Sequence, residues 1–120
     1  MPTMVHFDIA SEDVARAKEF YESLFGWKML GPPGMTDYFL VETSDLKGNQ
    51  GIGGGLGRRG TPEQRITLYI GVDDIEKYCR MVESLGGKVV QEKLPVPGWG
   101  YLAVCKDTEG NMFGLWQDNE

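Results

Sequence analysis

The sequence predicts an α+β fold made of two βαβββ modules in tandem, and three observations carry that expectation. The second half repeats the first at an offset of 61 positions without a gap. Apolar residues alternate with period two and then switch to helical spacing in each half. Glycine and proline clusters punctuate the segments in the same order twice. Under the offset Ile9 falls on Ile70, Asp13 on Asp74, Val14 on Ile75, Gly26 on Gly87 and Gly53 on Gly114, while Glu22-Ser23-Leu24 falls on Glu83-Ser84-Leu85. A fixed-period repeat means copies of one supersecondary unit, and two copies imply a pseudo-twofold cleft. Halves of about sixty residues bury little surface and are expected to share one structure, so one domain over 1–120 is expected. Module one spans about 4–57, a linker 58–64, and module two about 65–118.

Each element has a local reason. Met4 to Ala10 reads as a strand, with Val5, Phe7 and Ile9 alternating against His6 and Asp8. Ser11-Glu12-Asp13 supplies N-cap candidates, and Val14, Ala17, Tyr21 and Leu24 recur at helical spacing through Phe25. Gly26 is placed as a C-cap. Trp27–Leu30 is a short strand, Gly31-Pro32-Pro33-Gly34 a turn, and Tyr38–Glu42 a third strand. A polar turn at Asp45–Asn49 leads to a Gly-rich fourth strand from about Gly51 to Gly57. Arg58 to Gln64, broken by Gly60 and Pro62, is the linker. The second module then gives a strand at Arg65–Val72. A capping-box variant of Asp73 with Glu76 precedes a helical face of Ile75, Tyr78, Cys79, Val82 and Leu85. Gly86-Gly87 ends that helix. Strands follow at Lys88–Glu92, Tyr101–Lys106 and Met112–Gln117, the last two joined by a turn at Asp107–Asn111.

Bulk properties exclude several functions. The formal net charge is −6 and Arg58-Arg59 is the only tight basic pair, which argues against nucleic-acid and membrane-surface partners. Cys79 and Cys105 have neither CxxC spacing nor companion ligands, so they read as buried free thiols rather than a zinc site or a disulfide. Met1-Pro2-Thr3 opens no basic-then-apolar leader, and no apolar run is long enough to span a bilayer, so a cytoplasmic location is expected. Gly55-Leu56-Gly57-Arg58-Arg59-Gly60 matches GxGxxG but leads into a strand, not the helix a dinucleotide site requires. These glycines fit a bend or a close backbone approach.

The motifs point to one family. His6 is followed seven positions later by Asp13, then by Phe20-Tyr21 and Leu24-Phe25-Gly26-Trp27. The second half carries Val72-Asp73, Leu85-Gly86-Gly87 and Asp107-Thr108-Glu109-Gly110-Asn111, and ends Phe113-Gly114-Leu115-Trp116-Gln117. With a doubled βαβββ order, this resembles the vicinal oxygen chelate superfamily of glyoxalase I, bleomycin-resistance proteins, fosfomycin-resistance enzymes and extradiol dioxygenases, and its glyoxalase-related subgroup. The resemblance implies a curved half-barrel sheet around a cleft, one helix per module outside it, and a homodimer. In the metal-dependent members each module gives one ligand from its first strand and one from its last. Those four positions here read His6, Gly53, Thr67 and Gly114. Glycine has no donor, so neither a bound metal nor any other cofactor is expected.

The leading expectation is therefore a small-molecule binding protein of the bleomycin-resistance type. The alternative is a lyase, isomerase or dioxygenase. Under it, a divalent Ni, Zn, Mn or Fe ion is held atypically with help from Asp8 or Glu42, or His6 and Asp8 act as metal-free acid and base. His6 and Asp8 share a strand face, and a carboxylate beside an imidazole can raise its basicity. The residues expected to line the ligand are His6, Asp8, Tyr38, Gly53, Gly55, Thr67, Tyr69, Trp99, Tyr101, Met112, Gly114 and Trp116. Phe7, Phe20 and Phe113, on the opposite parity, are expected in the core.

Overall fold

The computed structural model describes residues 1–32 and 37–119. The proline turn expected at 31–34 therefore lies partly outside the described residues. Among these, eight strands and two helices follow one another as β1 (Thr3–Ser11), α1 (Val14–Phe25), β2 (Lys28–Leu30), β3 (Tyr38–Glu42), β4 (Gly54–Arg58), β5 (Ile66–Gly71), α2 (Ile75–Ser84), β6 (Lys88–Val96), β7 (Gly100–Lys106) and β8 (Met112–Asp118). This is the α+β order expected from the repeat. Among the described residues no helix is long and apolar enough to cross a membrane. The chain divides into two compact units, His6–Ile66 and Met1–Val5 with Thr67–Glu120, called module one and module two below.

In module one the strands lie in the order β2-β3-β4-β1. β1 and β4 run parallel with Phe7 beside Gly54, Asp8 beside Gly55 and Ile9 beside Leu56, and β3 is antiparallel to β4. Period-two alternation then gives the sheet two faces. One carries Ile9, Met29, Val41 and Leu56, which pack with Val14 of α1 into a buried core. Phe7, Tyr21 and Trp27 close around it, Tyr21 stacking on Trp27 at 5.2 Å. α1 starts where the Asp13 side chain accepts from the Arg16 N–H at 3.0 Å and stops where Gly26 takes φ 70°. Phe20 departs from expectation. It is 58 % exposed rather than buried, because the inward stripe of α1 is Val14, Ala17 and Tyr21 and Phe20 lies about 100° round from Tyr21.

Module two lines up β5-β8-β7-β6. Ile75, Ala103, Cys105 and Leu115 form its buried core, with Tyr78, Val82, Val89, Tyr101 and Phe113 around them. The N-cap of α2 is Asp74, accepting from the Lys77 N–H at 3.2 Å, not Asp73. Glu76 therefore sits one residue too early for a capping box, and it pairs with Lys93 at 3.4 Å instead. The Gln117 side chain supplies a further acceptor to this helix start, taking the Ile75 N–H at 2.9 Å.

The gapless repeat fails twice: by one residue before the turns at Asp45 and Asp107, which are 62 positions apart, and again before the last strands. Residue 8 pairs with Gly55, whereas its repeat mate Tyr69 pairs with Gly114, so the mate of Gly114 is Gly55 and not Gly53. Module one carries three extra residues: Asn49 to Gly55 is six positions, Asn111 to Gly114 three. They fall just before β4, which starts at Gly54 rather than Gly51. Here Gly51 N–H bonds to Thr43 O at 2.9 Å and the Thr43 hydroxyl to Ile52 O at 2.9 Å, pulling the chain off the ladder. The turns flanking the insertion are twins. Asp45 Oδ1 accepts from Lys47 and Asn49 N–H, both at 2.8 Å; Asp107 Oδ1 accepts from Glu109 and Asn111 N–H at 2.8 and 2.9 Å. In each, the asparagine Nδ2 reaches the other carboxylate oxygen at 3.1 Å.

Two predictions follow from this packing. Leu56→Ala and Ile75→Ala, each at a fully buried position, are expected to lower the unfolding free energy by about 2–5 kcal/mol in urea titrations; a loss below about 1 kcal/mol at either contradicts the core assignment. Bonds led by the backbone N–H of Asn49 and Asn111 hold Asp45 and Asp107 below their ordinary 3.8. Each carboxylate thus stabilises the fold above 3.8, and that contribution is lost as pH falls through the lower folded-state value. Asp45→Asn with Asp107→Asn should flatten the acid limb of stability below about pH 4, measured by thermal melts; an unchanged limb contradicts it.

Candidate functional site

The second face of module one carries the candidate chemistry. β1 contributes His6 and Asp8, which point the same way because they are two residues apart. His6 Nε2 and Asp8 Oδ1 are 3.0 Å apart, with side-chain exposures of 32 % and 33 %. The pair is therefore neither sealed in the core nor fully solvated. Tyr38, at the start of β3, joins it from across β4. The Tyr38 ring lies along β4, and a Cβ built on Gly57 would stand 3.0 Å from the ring carbon Cδ1. A Cβ on Gly55 would overlap the Tyr38 hydroxyl and come within 2.6 Å of Asp8 Oδ1. The two glycines are thus a floor. They remove side-chain bulk from β4 so that a tyrosine on one neighbouring strand can reach a carboxylate on the other.

The electrostatics follow from that arrangement. Burial above all, then the negative charge of Asp8 and a hydrogen bond to it, push the Tyr38 phenol up to about 12. Tyr38 is therefore a neutral donor at physiological pH. Asp8 becomes a shared acceptor facing both the imidazole and the phenol.

Module two builds its corresponding face differently. Thr67 and Tyr69 of β5 are 3 % and 7 % exposed. The Tyr69 ring covers Gly114 so closely that a Cβ there would overlap it. Met112 and Trp116 of β8 share the parity of Gly114 and are half-buried. The Trp116 indole N–H donates to Asp118 Oδ1 at 2.8 Å, and its ring lies 2.9 Å from where a Gly100 Cβ would stand.

Several expected site residues stand elsewhere. Tyr101 turns to the helix side, packing on the Ile75–Leu115 core with the Lys93 ammonium 4.5 Å from its ring centroid. Its register opposite Gln117 gives it that parity. Trp99, 65 % exposed, sits in the β6–β7 turn, where its N–H donates to Val96 O at 3.0 Å. Gly53 precedes β4 and offers its carbonyl to the Phe7 N–H at 3.3 Å. Glu42, exposed at the end of β3, is paired with Lys28 in register. Gly57 was not in the expected set, although its spacing from Gly55 is a sequence signal for it. Cys79 and Cys105 are free, and their thiols share a hydrogen bond. Burial raises both, Cys105 to about 12, so both remain thiols.

A divalent ion does not fit the donors on either face. Among the described residues no three His, Cys, Asp or Glu side chains converge to hold one. The first-strand position of module one is His6 and the mate of Gly114 is Gly55, which has no donor and whose Cβ site is taken up by Tyr38. In module two the corresponding residues are a buried threonine and a glycine under a tyrosine ring.

A family model, the Glyoxalase/Bleomycin resistance protein/Dioxygenase superfamily, matches residues 3–115. The chain belongs to this superfamily. It is 30% identical over 125 residues to the anthracycline biosynthesis protein DnrV of Streptomyces peucetius, covering 92% of this chain and 45% of that protein. It is also 30% identical over 115 residues to the putative glyoxylase CFP32 of Mycobacterium tuberculosis, covering 93% of this chain and 44% of that one. The chain thus spans less than half the length of these relatives. Among solved structures, it resembles hypothetical protein BH1468 from Bacillus halodurans (TM-score 0.67, 17% identity, 99% and 96% of the two chains). A methylmalonyl-CoA epimerase from Streptomyces coelicolor is similar as well (TM-score 0.66, 13% identity, 98% and 97%). At these identities the structural likeness speaks to the fold alone.

Tyr38 provides the test of this geometry. A phenol whose value is raised by folding stabilises the protein fully below its unfolded value of 10.0, and that contribution is lost as pH rises through about 12. Tyr38→Phe should therefore make the alkaline fall in stability shallower in that window. In an ultraviolet titration, Asp8→Asn should lower the Tyr38 value but leave it above 10.0, since burial is the larger cause. An unshifted Tyr38 in Asp8→Asn contradicts the contact.

Proposed function

We propose that this protein binds a small organic molecule on the glycine-floored face of module one, without the divalent metal used elsewhere in its superfamily. The observation that carries the reading is the meeting of His6, Asp8 and Tyr38 above Gly55. A face that combines an aromatic ring with a few convergent polar groups has the composition of small-molecule sites. Tyr38 offers a ring edge and a hydroxyl, and Asp8 and His6 fix orientation. Gly55 and Gly57 seat the Tyr38 ring, so a ligand meets that ring and its polar neighbours rather than the backbone of β4.

The 3.0 Å contact between His6 and Asp8 favours a second reading, general acid–base catalysis. A carboxylate bonded to an imidazole fixes the ring's orientation and tautomer, as a histidine acid or base requires. The relatives' names, an anthracycline biosynthesis protein and a putative glyoxylase, are compatible with organic ligands of either kind. We further propose that the chain works as a homodimer inside the cell.

Binding and metal content test this directly. Phenol added to isotope-labelled protein is expected to shift the amide resonances of Asp8, Gly55 and Gly57. Elemental analysis is expected to find no stoichiometric Ni, Zn, Mn or Fe. Phenol shifts confined to other residues would reject this face as the site. A stoichiometric ion that disappears in His6→Ala would reject the metal-free reading.

A further inference from the structure

We infer that the Asp8 face selects ligands presenting an uncharged or positively charged hydrogen-bond donor, a hydroxyl or an ammonium, and turns away carboxylates and phosphates. The inference rests on that face being the ligand site.

The argument begins with what Asp8 has left to offer. An ionised carboxylate only accepts, at about four lone-pair positions. His6 Nε2 stands at one oxygen, 3.0 Å away, and the Tyr38 hydroxyl reaches the same group. With its side chain 33 % exposed, Asp8 keeps acceptor capacity that a third donor can fill. A ligand hydroxyl adds to the set, and an ammonium adds charge attraction as well.

An anion meets the opposite situation. It would bring a second negative charge beside Asp8 at a partly dehydrated position, where repulsion is screened less than in water. Relief would need a cation. Two cations of module one are held by other carboxylates, Arg58 by Asp37 at 2.8 Å and Lys18 by Glu22 at 3.0 Å; Arg59 meets Glu12 at 3.5 Å and keeps its Nε without a partner. His6 is committed to Asp8 itself.

The glycine floor adds a shape requirement. Tyr38 rests on Gly57 and Gly55 because neither has a side chain. A ligand reaching Asp8 must pass beside that ring, which favours a flat group with its donor at one end.

Two probes with the same ring separate the classes. Isotope-labelled protein is titrated with phenethylamine, which carries an ammonium, and with phenylacetate, which carries a carboxylate and no other donor. Phenethylamine is expected to move the amides of Asp8, Gly55 and Gly57 and to bind about tenfold tighter. Asp8→Asn should erase the preference. Glu19→Gln, the same charge change on exposed α1 surface, should keep it. Equal affinity for both probes, or tighter binding of the carboxylate, overturns the ligand class while leaving the site standing. A preference that survives Asp8→Asn overturns it too, because the net charge of the chain would then be its source. If neither probe moves these amides the class assignment fails, and the phenol titration decides whether the site fails with it.

Discussion

Parallel pairing of β1 with β4 sets Ile9 beside Leu56 on one face and Asp8 beside Gly55 on the other. Both halves of module one depend on that register. The first pair is part of the dry core under α1. The second pair is the floor on which Tyr38 lies. A slip of β1 by one residue would exchange its faces, placing the Asp8 carboxylate under the helix and Ile9 on the polar side. The apolar burial that stabilises the module therefore also orients its polar group, and no separate device is needed to aim Asp8.

The two modules show what duplication retains. Asp13 and Asp74 cap equivalent helices, and Ile9–Leu56 is matched by Ile70–Leu115. The Asp45 and Asp107 turns bond alike atom for atom. These are positions where the backbone has unsatisfied groups or the core needs volume. On the other sheet face the copies diverge: His6 and Asp8 answer to Thr67 and Tyr69. What both faces keep is an aromatic ring lying on a glycine, Tyr38 on Gly55 and Tyr69 on Gly114. The ring restores the packing that a missing side chain removes.

Much of this was legible in the sequence, and the misses have physical causes. Strand parity alone put His6 with Asp8 and Tyr69 with Thr67, since period two needs no tertiary information. The repeat placed both helices, and used strictly it also identifies Asp74 as a cap. The attraction of a capping box at Asp73 and Glu76 pointed one residue early. Gly53 was taken for the mate of Gly114 because three extra residues before β4 sit in a run of glycines, where no side chain marks the register. Tyr101 was misplaced for a related reason. The phase of β7 is fixed by its pairing with β8, not by its own alternation of apolar residues. The reach of Tyr38 across β4 could not be read at all, because it depends on two absent side chains being aligned under one present one.

That alignment also constrains how the protein can evolve. Any side chain introduced at position 55 must compete with the Tyr38 hydroxyl for the same volume. Substitutions there are therefore conditional: a larger residue is admissible only after Tyr38 has been shortened or turned away. A lineage moving toward a metal-holding last strand would have to lose its tyrosine before gaining a ligand, and the reverse journey would have to lose the ligand first. At position 55, then, the order of the substitutions matters as much as their identity.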